Sequence, residues 1–346
     1  MKKKILIITH SNDNESIEHV SAFIEEAGGQ VIRFNVDHYP VNCGLSTVYT
    51  KEGWKSSLRT GDELVLLEDL QSVWYRRAYG LGDGLNKQVD ATYLPVAMGE
   101  VRKTLLGLME GLECFKLARP SHYRRLDSKE EQLKVARRYG LLIPPTCISN
   151  DPQTIREFIE EVGYPLVTKM QSAFSLRLEG KEKVVYTNEL KPEHLSGLDS
   201  IQYCPMIIQK QLEKALELRV TIVGDTLFTF SVDSQQEDGA RVDWRKEGGK
   251  LLQSWEPYEL PQEIEQALLG LMHELELQYG AIDLIYTPEG EYYFLEVNAA
   301  GEFFWLDRLC DHAISKRIAE VLLNPPVADS SNANGSKDRH KEKAQA

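Results

Sequence analysis

The first 125 residues alternate between apolar and amphipathic segments in an order that predicts a parallel βαβ unit. The segments are the strand KILIITH (4–10), the helix EHVSAFIEEAGG (18–29) and the strand QVIRFNVD (30–37). Strand, helix and strand in this order are typical of a parallel sheet with a crossover helix. A long helix is predicted near residues 90–114. We therefore expect an N-terminal α/β domain over residues 1–125.

A second pattern begins near residue 126. Ser128 and Glu131 form a capping-box pattern at the start of a helix that ends at Gly140. The elements predicted after it are the strands YPLVTKM (164–170), KVVYT (183–187), MIIQKQ (206–211), ELRVTIVG (217–224) and TLFTFSVDS (226–234), and helices over 261–279 and near 312–323. We expect two further regions, over residues 126–205 and 206–323.

Composition and charge exclude several classes of protein. The 346 residues carry a net charge of −13, which argues against a general nucleic-acid or anionic-membrane binder. No apolar segment reaches membrane-spanning length. Five cysteines without a CxxC pair fit reduced thiols, so we expect a cytoplasmic protein. The tail over residues 324–346 lacks apolar periodicity and is expected to be disordered.

The hairpin within residues 281–303 contains the clearest candidate for chemistry. With a four-residue turn over 288–291, Asp283 pairs with Glu296, and Asn298 joins their face of the sheet. Facing carboxylates about 5 Å apart repel each other unless a cation neutralises them. Two carboxylates and an amide oxygen suit Mg²⁺.

The alternative for this hairpin is a solvated polar face opposite an apolar core face. The core face would then consist of Ile282, Leu284, Tyr293, Leu295 and Val297. The spacing of the residues fits the metal site and the solvated face equally well.

Two lysines upstream of the hairpin are candidates for phosphate contacts. Lys169 lies in an apolar strand, where an inward ammonium group needs an anion such as phosphate. The alternative is an edge strand with Lys169 facing solvent. Lys129 lies in the first turn of a helix, where the dipole disfavours a cation, so it is either a ligand contact or a surface residue.

The segment from Gln209 to Leu212 connects two strands and could offer backbone groups to the edge of an adenine ring. Glu217 and Arg219 share one face of the following strand. The planar fork of an arginine suits a carboxylate or a phosphoryl group in transfer. An ion pair between Glu217 and Arg219 fits the spacing equally well.

Three more arginines could receive an acidic substrate. Arg76 and Arg77 end a strand, and Arg245 lies in the loop region DWRK after residue 234. Arginine forms paired hydrogen bonds with carboxylates. The alternative for all three is a solvated surface position.

The order of these residues along the chain resembles the ATP-grasp superfamily of ligases. The ordered residues are Lys129, Lys169, Gln209, Lys210, Gln211, Glu217, Arg219, Asp283, Glu296 and Asn298. The motifs THSNDNES, VWYRR, GLLIPPT, KALELRVTIVG, YGAIDLI and GEFFWL resemble, more narrowly, the microviridin-type peptide maturases, or graspetide synthetases. The resemblance covers residues 4–323. It implies an α/β (α+β) chain with an ATP-grasp fold behind an N-terminal parallel βαβ pre-ATP-grasp domain.

The resemblance also implies roles for individual residues. The nucleotide contacts would be Lys129 and Lys169 on the phosphates of ATP, Gln209, Lys210, Gln211 and Leu212 along adenine, and Glu217. The metal ligands for Mg²⁺ would be Asp283, Glu296 and Asn298. Arg219 would steady the transferred phosphoryl group. Many superfamily members carry a glycine-rich loop after the strand lysine, whereas residues 171–175 read QSAFS here, which leaves the phosphate cradle open.

The family's reaction activates a Glu or Asp side chain of a ribosomally made precursor peptide as an acyl phosphate. A Thr or Ser hydroxyl or a Lys amine of the same peptide then attacks it. Similarity to the ester-forming subgroup favours a lactone over a lactam. The implied partners are a precursor peptide with a leader and an acidic Thr/Ser-rich core, and a second copy of the chain in a homodimer.

We expect Arg76, Arg77 and Arg245 to contact acidic side chains of the peptide. Two other functions fit the resemblance. The first is an intermolecular carboxylate–amine ligase. The second is an ATP-binding regulator that has lost turnover.

Overall fold

The computed structural model describes residues 2–171, 175–178 and 181–326, with the backbone alone for 175–178 and 181–184. Most of the QSAFS segment and the predicted disordered tail from residue 327 onward lie outside the described residues. Within the described part, no helix is both long and apolar enough to cross a membrane.

The N-terminal part contains a parallel sheet, as the sequence predicts. Its elements are β1 (Lys4–Thr9), α1 (Ser16–Glu26), β2 (Gln30–Asn35), β3 (Cys43–Thr50), β4 (Gly53–Thr60), β5 (Glu63–Leu66), β6 (Leu70–Tyr75), α2 (Leu94–Gly111) and β7 (Phe115–Lys116). The sheet order is β2-β1-β6-β7, with parallel pairing throughout. Residues 5–8 of β1 are buried on both faces, which is typical of a parallel sheet. Strands β3, β4 and β5 form a separate antiparallel sheet.

The middle part carries a four-stranded antiparallel sheet in the order β12-β9-β13-β8. Its elements are α3 (Pro120–Leu126), α4 (Lys129–Arg138), β8 (Thr146–Ser149), α5 (Pro152–Val162), β9 (Leu166–Lys169), β10 (Ser175–Leu178), β11 (Lys181–Val184), β12 (Asn188–Leu190) and β13 (Met206–Lys210). The side chain of Ser128 accepts a hydrogen bond from the backbone N–H of Glu131 and caps α4 as predicted. The Glu131 carboxylate instead accepts a bond from Arg125 Nε at 2.6 Å.

The last part forms a five-stranded antiparallel sheet in the order β16-β15-β14-β17-β18. Its elements are β14 (Leu216–Val223), β15 (Thr226–Val232), α6 (Gly248–Leu251), β16 (Glu256–Pro257), α7 (Gln262–Glu274), β17 (Tyr279–Tyr286), β18 (Tyr292–Asn298), α8 (Phe304–Asp307) and α9 (Ala313–Leu323). The predicted helix over 261–279 is too long at its C-terminal end. Buried Leu277 and Tyr279 continue the apolar pattern, but Glu276 has a φ of 58°, and β17 has already begun at Tyr279.

The final helix, α9, returns to the N-terminal sheet. Its buried residues share one apolar core with β1, α1 and Trp74 of β6. Ser72 Oγ donates a hydrogen bond to the carbonyl of Leu322 at 2.7 Å, and Lys3 Nζ donates to that of Leu323 at 2.8 Å. The first and last elements therefore stabilise each other, while the predicted domain boundaries stay a prediction.

We predict that Ile318→Ala destabilises the protein by about 2 to 4 kcal/mol, because it opens a cavity in this shared core. Ile318 is fully buried in α9. Urea unfolding followed by circular dichroism measures the change. Lys316→Ala, at an exposed position of the same helix, is the control and is expected to stay within about 0.5 kcal/mol of the wild type. Equal stability of the two variants would contradict the shared core.

Candidate active site

Two cavities meet between the sheet β12-β9-β13-β8 and the five-stranded sheet. Their volumes are about 310 Å³ and about 110 Å³. Lys169, Thr187, Arg245 and Glu296 line both of them, so the two are continuous, and we call them together the central cleft. Strand β9 lies between β12 and β13. The alternative that places Lys169 on an edge strand facing solvent is therefore wrong.

Asp283 in β17 and Glu296 in β18 lie opposite each other, as predicted. Asn298 follows two residues after Glu296 and shares its face because side chains alternate along a strand. Glu296 and Asn298 line the larger cavity, and Asp283 lines the smaller one. Two carboxylates and an amide oxygen that border one cleft fit the hard oxygen ligands that Mg²⁺ prefers.

A β-bulge at Leu295 produces this pairing. The turn has one residue more than predicted, because Tyr286 pairs with Tyr292. The extra residue in β18 restores the register, so that Asp283 still faces Glu296. The pairing predicted from the sequence is thus correct for Asp283 and Glu296, but near the turn its register differs from the observed one by one residue.

The bulge also changes which apolar side chains face the core. The core side of the hairpin carries Ile282, Leu284, Phe294 and Val297, all of them buried. Tyr293 and Leu295, which the alternative interpretation placed in the core, are only partly buried. Leu295 instead lines the smaller cavity of the central cleft.

Each of the two facing carboxylates is neutralised by a cation of the chain itself. Arg219 Nη1 lies 2.6 Å from Asp283 Oδ1, and Lys129 Nζ lies 2.7 Å from Glu296 Oε2. Arg219 therefore pairs with Asp283 across the strands and not with Glu217. Glu217 instead accepts a hydrogen bond from Lys214 Nζ at 2.9 Å. Lys129 is a residue of the cleft rather than a surface residue.

The charges of the cleft shift one another's pKa values. Burial alone would raise the pKa of Glu296, but Lys129 and Lys169 outweigh it and lower the pKa to about 2. Burial lowers the pKa of Lys169, and the attraction of Glu296 opposes this shift only in part. A further anion near Lys169 would stabilise its charged form.

Several polar groups of the segment from Gln209 to Leu212 are hydrogen-bonded within the protein. Gln209 Nε2 donates to Thr146 Oγ1 at 2.8 Å, and Lys210 Nζ donates to the carbonyl of Tyr164 at 2.8 Å. The backbone N–H groups of residues 210 and 211 donate to the carbonyls of residues 145 and 165. Among the hydrogen bonds of the described residues, none involves the N–H of Leu212, which borders the smaller cavity.

Arg245 lies inside the central cleft. Its Nε and Nη2 donate to the two carboxylate oxygens of Asp243 at 2.8 and 2.6 Å. Asp243 also accepts a hydrogen bond from the backbone N–H of Thr187 at 3.1 Å. Burial would raise the pKa of Asp243, but Arg245 holds it below its usual range. The fixed guanidinium faces the same space as Lys169 and Glu296.

Arg76 and Arg77 lie outside the central cleft and share the carboxylate of Glu302. Arg76 is 1% exposed; its Nη2 lies 2.6 Å from Glu302 Oε2, and its Nε lies 3.4 Å from Asp13 Oδ2. Arg77 also pairs with Glu302 but is more exposed and stacks on Tyr79. This placement favours Arg77 over Arg76 as a contact for a substrate.

Glu302 is a functional candidate that sequence reasoning missed, although it lies within the quoted motif GEFFWL. Its carboxylate binds Arg76 and Arg77, which follow β6, and its carbonyl accepts a hydrogen bond from Arg219 Nη2 at 3.1 Å. The close approach of Arg219 to the carbonyl of Glu302 requires a glycine at position 301. A Cβ at that position would lie 2.3 Å from the Cβ of Ala281 and 3.0 Å from Arg219 Nη2.

Two protein-family models match the chain one after the other. The MvdD pre-ATP-grasp domain matches residues 4–124, and the RimK-like ATP-grasp domain matches residues 127–322. The chain belongs to the RimK-like ATP-grasp family. The predicted α/β fold class, with an ATP-grasp fold behind a pre-ATP-grasp domain, is thereby confirmed.

Three solved structures are similar to this ATP-grasp protein over nearly its whole length. A RiPP-associated ATP-grasp ligase from Chryseobacterium gregarium, in complex with ADP and a leader and core peptide, is 48% identical, with a TM-score of 0.91 and coverage of 94% of this chain and 98% of that chain. Macrocyclase MdnC from Microcystis aeruginosa MRC, bound with precursor peptide MdnA, is 38% identical, with a TM-score of 0.82 and coverage of 93% and 99%.

Macrocyclase MdnB from the same organism is 32% identical to this ATP-grasp chain, with a TM-score of 0.77 and coverage of 92% and 99%. The predicted resemblance to the microviridin-type maturases is therefore confirmed. No curated protein sequence is significantly similar to the chain.

Most of the predicted site residues of this ATP-grasp protein meet in the central cleft. Those that line it are Lys129, Lys169, Gln209, Lys210, Gln211, Leu212, Glu217, Arg245, Asp283, Glu296 and Asn298. Arg219 reaches the cleft through its ion pair with Asp283, whereas Arg76 and Arg77 line a separate cavity. The role of each residue stays a prediction.

We predict that Glu296 makes the stability of the ligand-free ATP-grasp protein depend on acid pH. Its pKa is about 2 in the folded state, against an ordinary value of 4.5. The carboxylate thus stabilises the fold above pH 4.5, and this contribution disappears as the pH falls towards 2. The lost stability is on the order of 3 kcal/mol.

Urea unfolding of the wild type and of Glu296→Gln between pH 3 and pH 7 tests this prediction. The stability difference between the two proteins should shrink steadily as the pH falls below 4.5. A difference that does not change with pH would contradict the ion pairs of Glu296 with the lysines.

Proposed function

We propose that the protein is an ATP-dependent macrocyclase of a ribosomally synthesised precursor peptide. It activates Glu or Asp side chains of the peptide as acyl phosphates, with release of ADP, and joins them to Thr or Ser hydroxyls of the same peptide as esters, with release of phosphate. The observation that carries this proposal is the central cleft, in which Asp283, Glu296, Lys129 and Lys169 meet. The 48% identity to a ligase solved with ADP and a leader and core peptide supports it.

The apolar part of the central cleft fits an adenine ring. Val167, Ile285 and Leu295 line the smaller cavity from the two sheets, and a flat ring between two apolar walls buries both of its faces. Leu295 reaches this wall because of the bulge. We propose that the N–H of Leu212 and the carbonyls beside it bind the edge of the ring.

The charged part of the cleft fits the phosphates of ATP. Lys129, Lys169 and Arg245 line the larger cavity, and their charges offset those of phosphate oxygens. A phosphate that enters would compete with Glu296 for the ammonium of Lys129. Mg²⁺ held by Asp283, Glu296 and Asn298 would supply further neutralisation of the phosphates.

The reaction needs activation because a carboxylate is a poor electrophile. Transfer of the γ-phosphoryl group to the peptide carboxylate creates a good leaving group. We propose that Arg219, buried beside Asp283, stabilises the transferred phosphoryl group and the acyl phosphate. Because the attacking hydroxyl belongs to the same peptide, the enzyme needs no covalent nucleophile of its own and works by orientation and exclusion of water.

The test of the function is the mass of a candidate precursor peptide after incubation of the peptide with the protein, ATP and Mg²⁺. We expect the loss of one water per ring. Mild alkaline hydrolysis should restore each water if the bonds are esters, whereas amide bonds would resist it. A gain of mass would instead show intermolecular ligation, and an unchanged mass with bound ATP would overturn the macrocyclase proposal.

We predict that Glu296→Gln and Asn298→Ala lower the rate of ADP formation by at least about 100-fold, because the first removes the negative charge of a metal ligand and the second removes an oxygen ligand. A coupled assay of ADP release measures this. Glu291→Gln, an identical change at an exposed position in the turn of the same hairpin, is the control and should keep wild-type turnover. Wild-type turnover by either cleft variant would refute the assigned metal ligands.

A further inference from the structure

A cavity of about 610 Å³ lies beside the central cleft, between the two parts of the protein. It is lined by the end of β6 and the segment that follows it, by residues of α2, by Tyr123 and its neighbours in α3, and by Asn298 at the end of β18. Tyr123 and Asn298 also line the central cleft. A group bound here therefore lies next to the proposed phosphate site. We call this space the arginine cavity.

The charged residues that line the arginine cavity, among those described, are all cationic. Four of its lining residues are arginines, and none of the described residues that line it is an aspartate or glutamate. Both cavities of the central cleft, in contrast, contain carboxylates such as Glu296. A concave surface lined by cations alone concentrates anions, because low-dielectric walls focus the field.

Among the described residues, two of the four arginines have no carboxylate partner and can bind an external anion. Arg76 forms ion pairs with Asp13 and Glu302, and Arg77 forms an ion pair with Glu302. Within the described ranges, Arg102 and Arg124 form no ion pair with any carboxylate, and both side chains are exposed. They come from two different helices and border one cavity. The cavity thus presents about two uncompensated guanidinium charges.

Part of the rest of the wall is apolar. Leu81, Leu105 and Leu106 lie beside the arginines, and the ring of Tyr79 stacks with Arg77. Such a wall accommodates the methylene groups of a glutamate side chain while a guanidinium binds its carboxylate. Free phosphate would gain nothing from these apolar groups, so the combination favours an acidic peptide over an inorganic anion.

We propose that the arginine cavity binds carboxylate side chains of the precursor's acidic core, with Arg102 and Arg124 as the contacts that hold them. This inference rests on the proposed function. The arginine cavity adds to that function a site that determines substrate specificity. The bound carboxylates lie on the side of Asn298, so the cavity selects the acidic segment that is presented to the phosphoryl group.

The experiment compares two peptides with the full-length protein in ADP and Mg²⁺, where no turnover occurs. One is the precursor peptide, and the other has its core Glu and Asp residues replaced by Gln and Asn. Fluorescence anisotropy of labelled peptides gives the affinities. We expect Arg102→Ala/Arg124→Ala to weaken binding of the acidic peptide about tenfold or more and to leave binding of the neutral peptide unchanged.

Two further variants exclude indirect effects. Arg102→Lys/Arg124→Lys keeps the charges and should retain most of the affinity. Arg59→Ala/Lys103→Ala removes two charges from exposed positions of the same N-terminal part that do not line the cavity, and it should bind like the wild type. Equal losses for both peptides, or no loss for the acidic one, would overturn the assignment of the arginine cavity.

The same comparison with labelled hexaglutamate and hexaglutamine tests the cavity without the precursor. If Arg102→Ala/Arg124→Ala loses affinity for hexaglutamate but the wild type does not cyclise the precursor, the assignment of the arginine cavity is supported and the macrocyclase proposal fails. If the precursor is cyclised by wild type and variant with the same KM, the cavity assignment fails and the proposed function stands.

Discussion

The site depends on the electrostatic repulsion between Asp283 and Glu296, which face each other across one hairpin. Two facing carboxylates persist in a folded protein only if cations lie close to both. The chain supplies Arg219 from β14 for one and Lys129 from α4 for the other. The same constraint therefore fixes the position of an arginine proposed for catalysis and of a lysine proposed for phosphate binding, and it brings α4 onto β18.

Glu302 extends this charge network to the N-terminal part of the protein. Its carboxylate neutralises Arg76 and Arg77 at the end of β6, and its backbone carbonyl holds the guanidinium of Arg219. One residue thus connects the strand that borders the arginine cavity with the arginine beside the central cleft. The shared core of α9 and β1 fixes the same two parts at another place. Their relative position is consequently determined by apolar packing and by ion pairs together.

The sequence predicted the parts of the site that depend on local periodicity. The pairing of Asp283 with Glu296 follows from strand alternation and a short turn, and the start of α4 from the cap at Ser128. The bulge at Leu295 could not be predicted, because it depends on which aromatic side chain fits the core. The partners of Arg76 could not be predicted either, since Glu302 lies 226 residues away along the chain.

The central cleft and the arginine cavity differ in how far their cations are already paired with carboxylates of the chain, and this difference bears on the order of binding. Asp283 and Glu296 pair with Arg219 and Lys129, whereas Arg102 and Arg124 have no carboxylate partner among the described residues, and uncharged Asn298 lies at the boundary. An acidic side chain is therefore attracted more strongly to the arginine cavity than to the central cleft. In the proposed function, a nucleotide that binds with its cation would offset the charge of the hairpin carboxylates. This charge arrangement agrees with the proposed function, in which a peptide carboxylate held beside Asn298 meets a nucleotide already bound in the cleft.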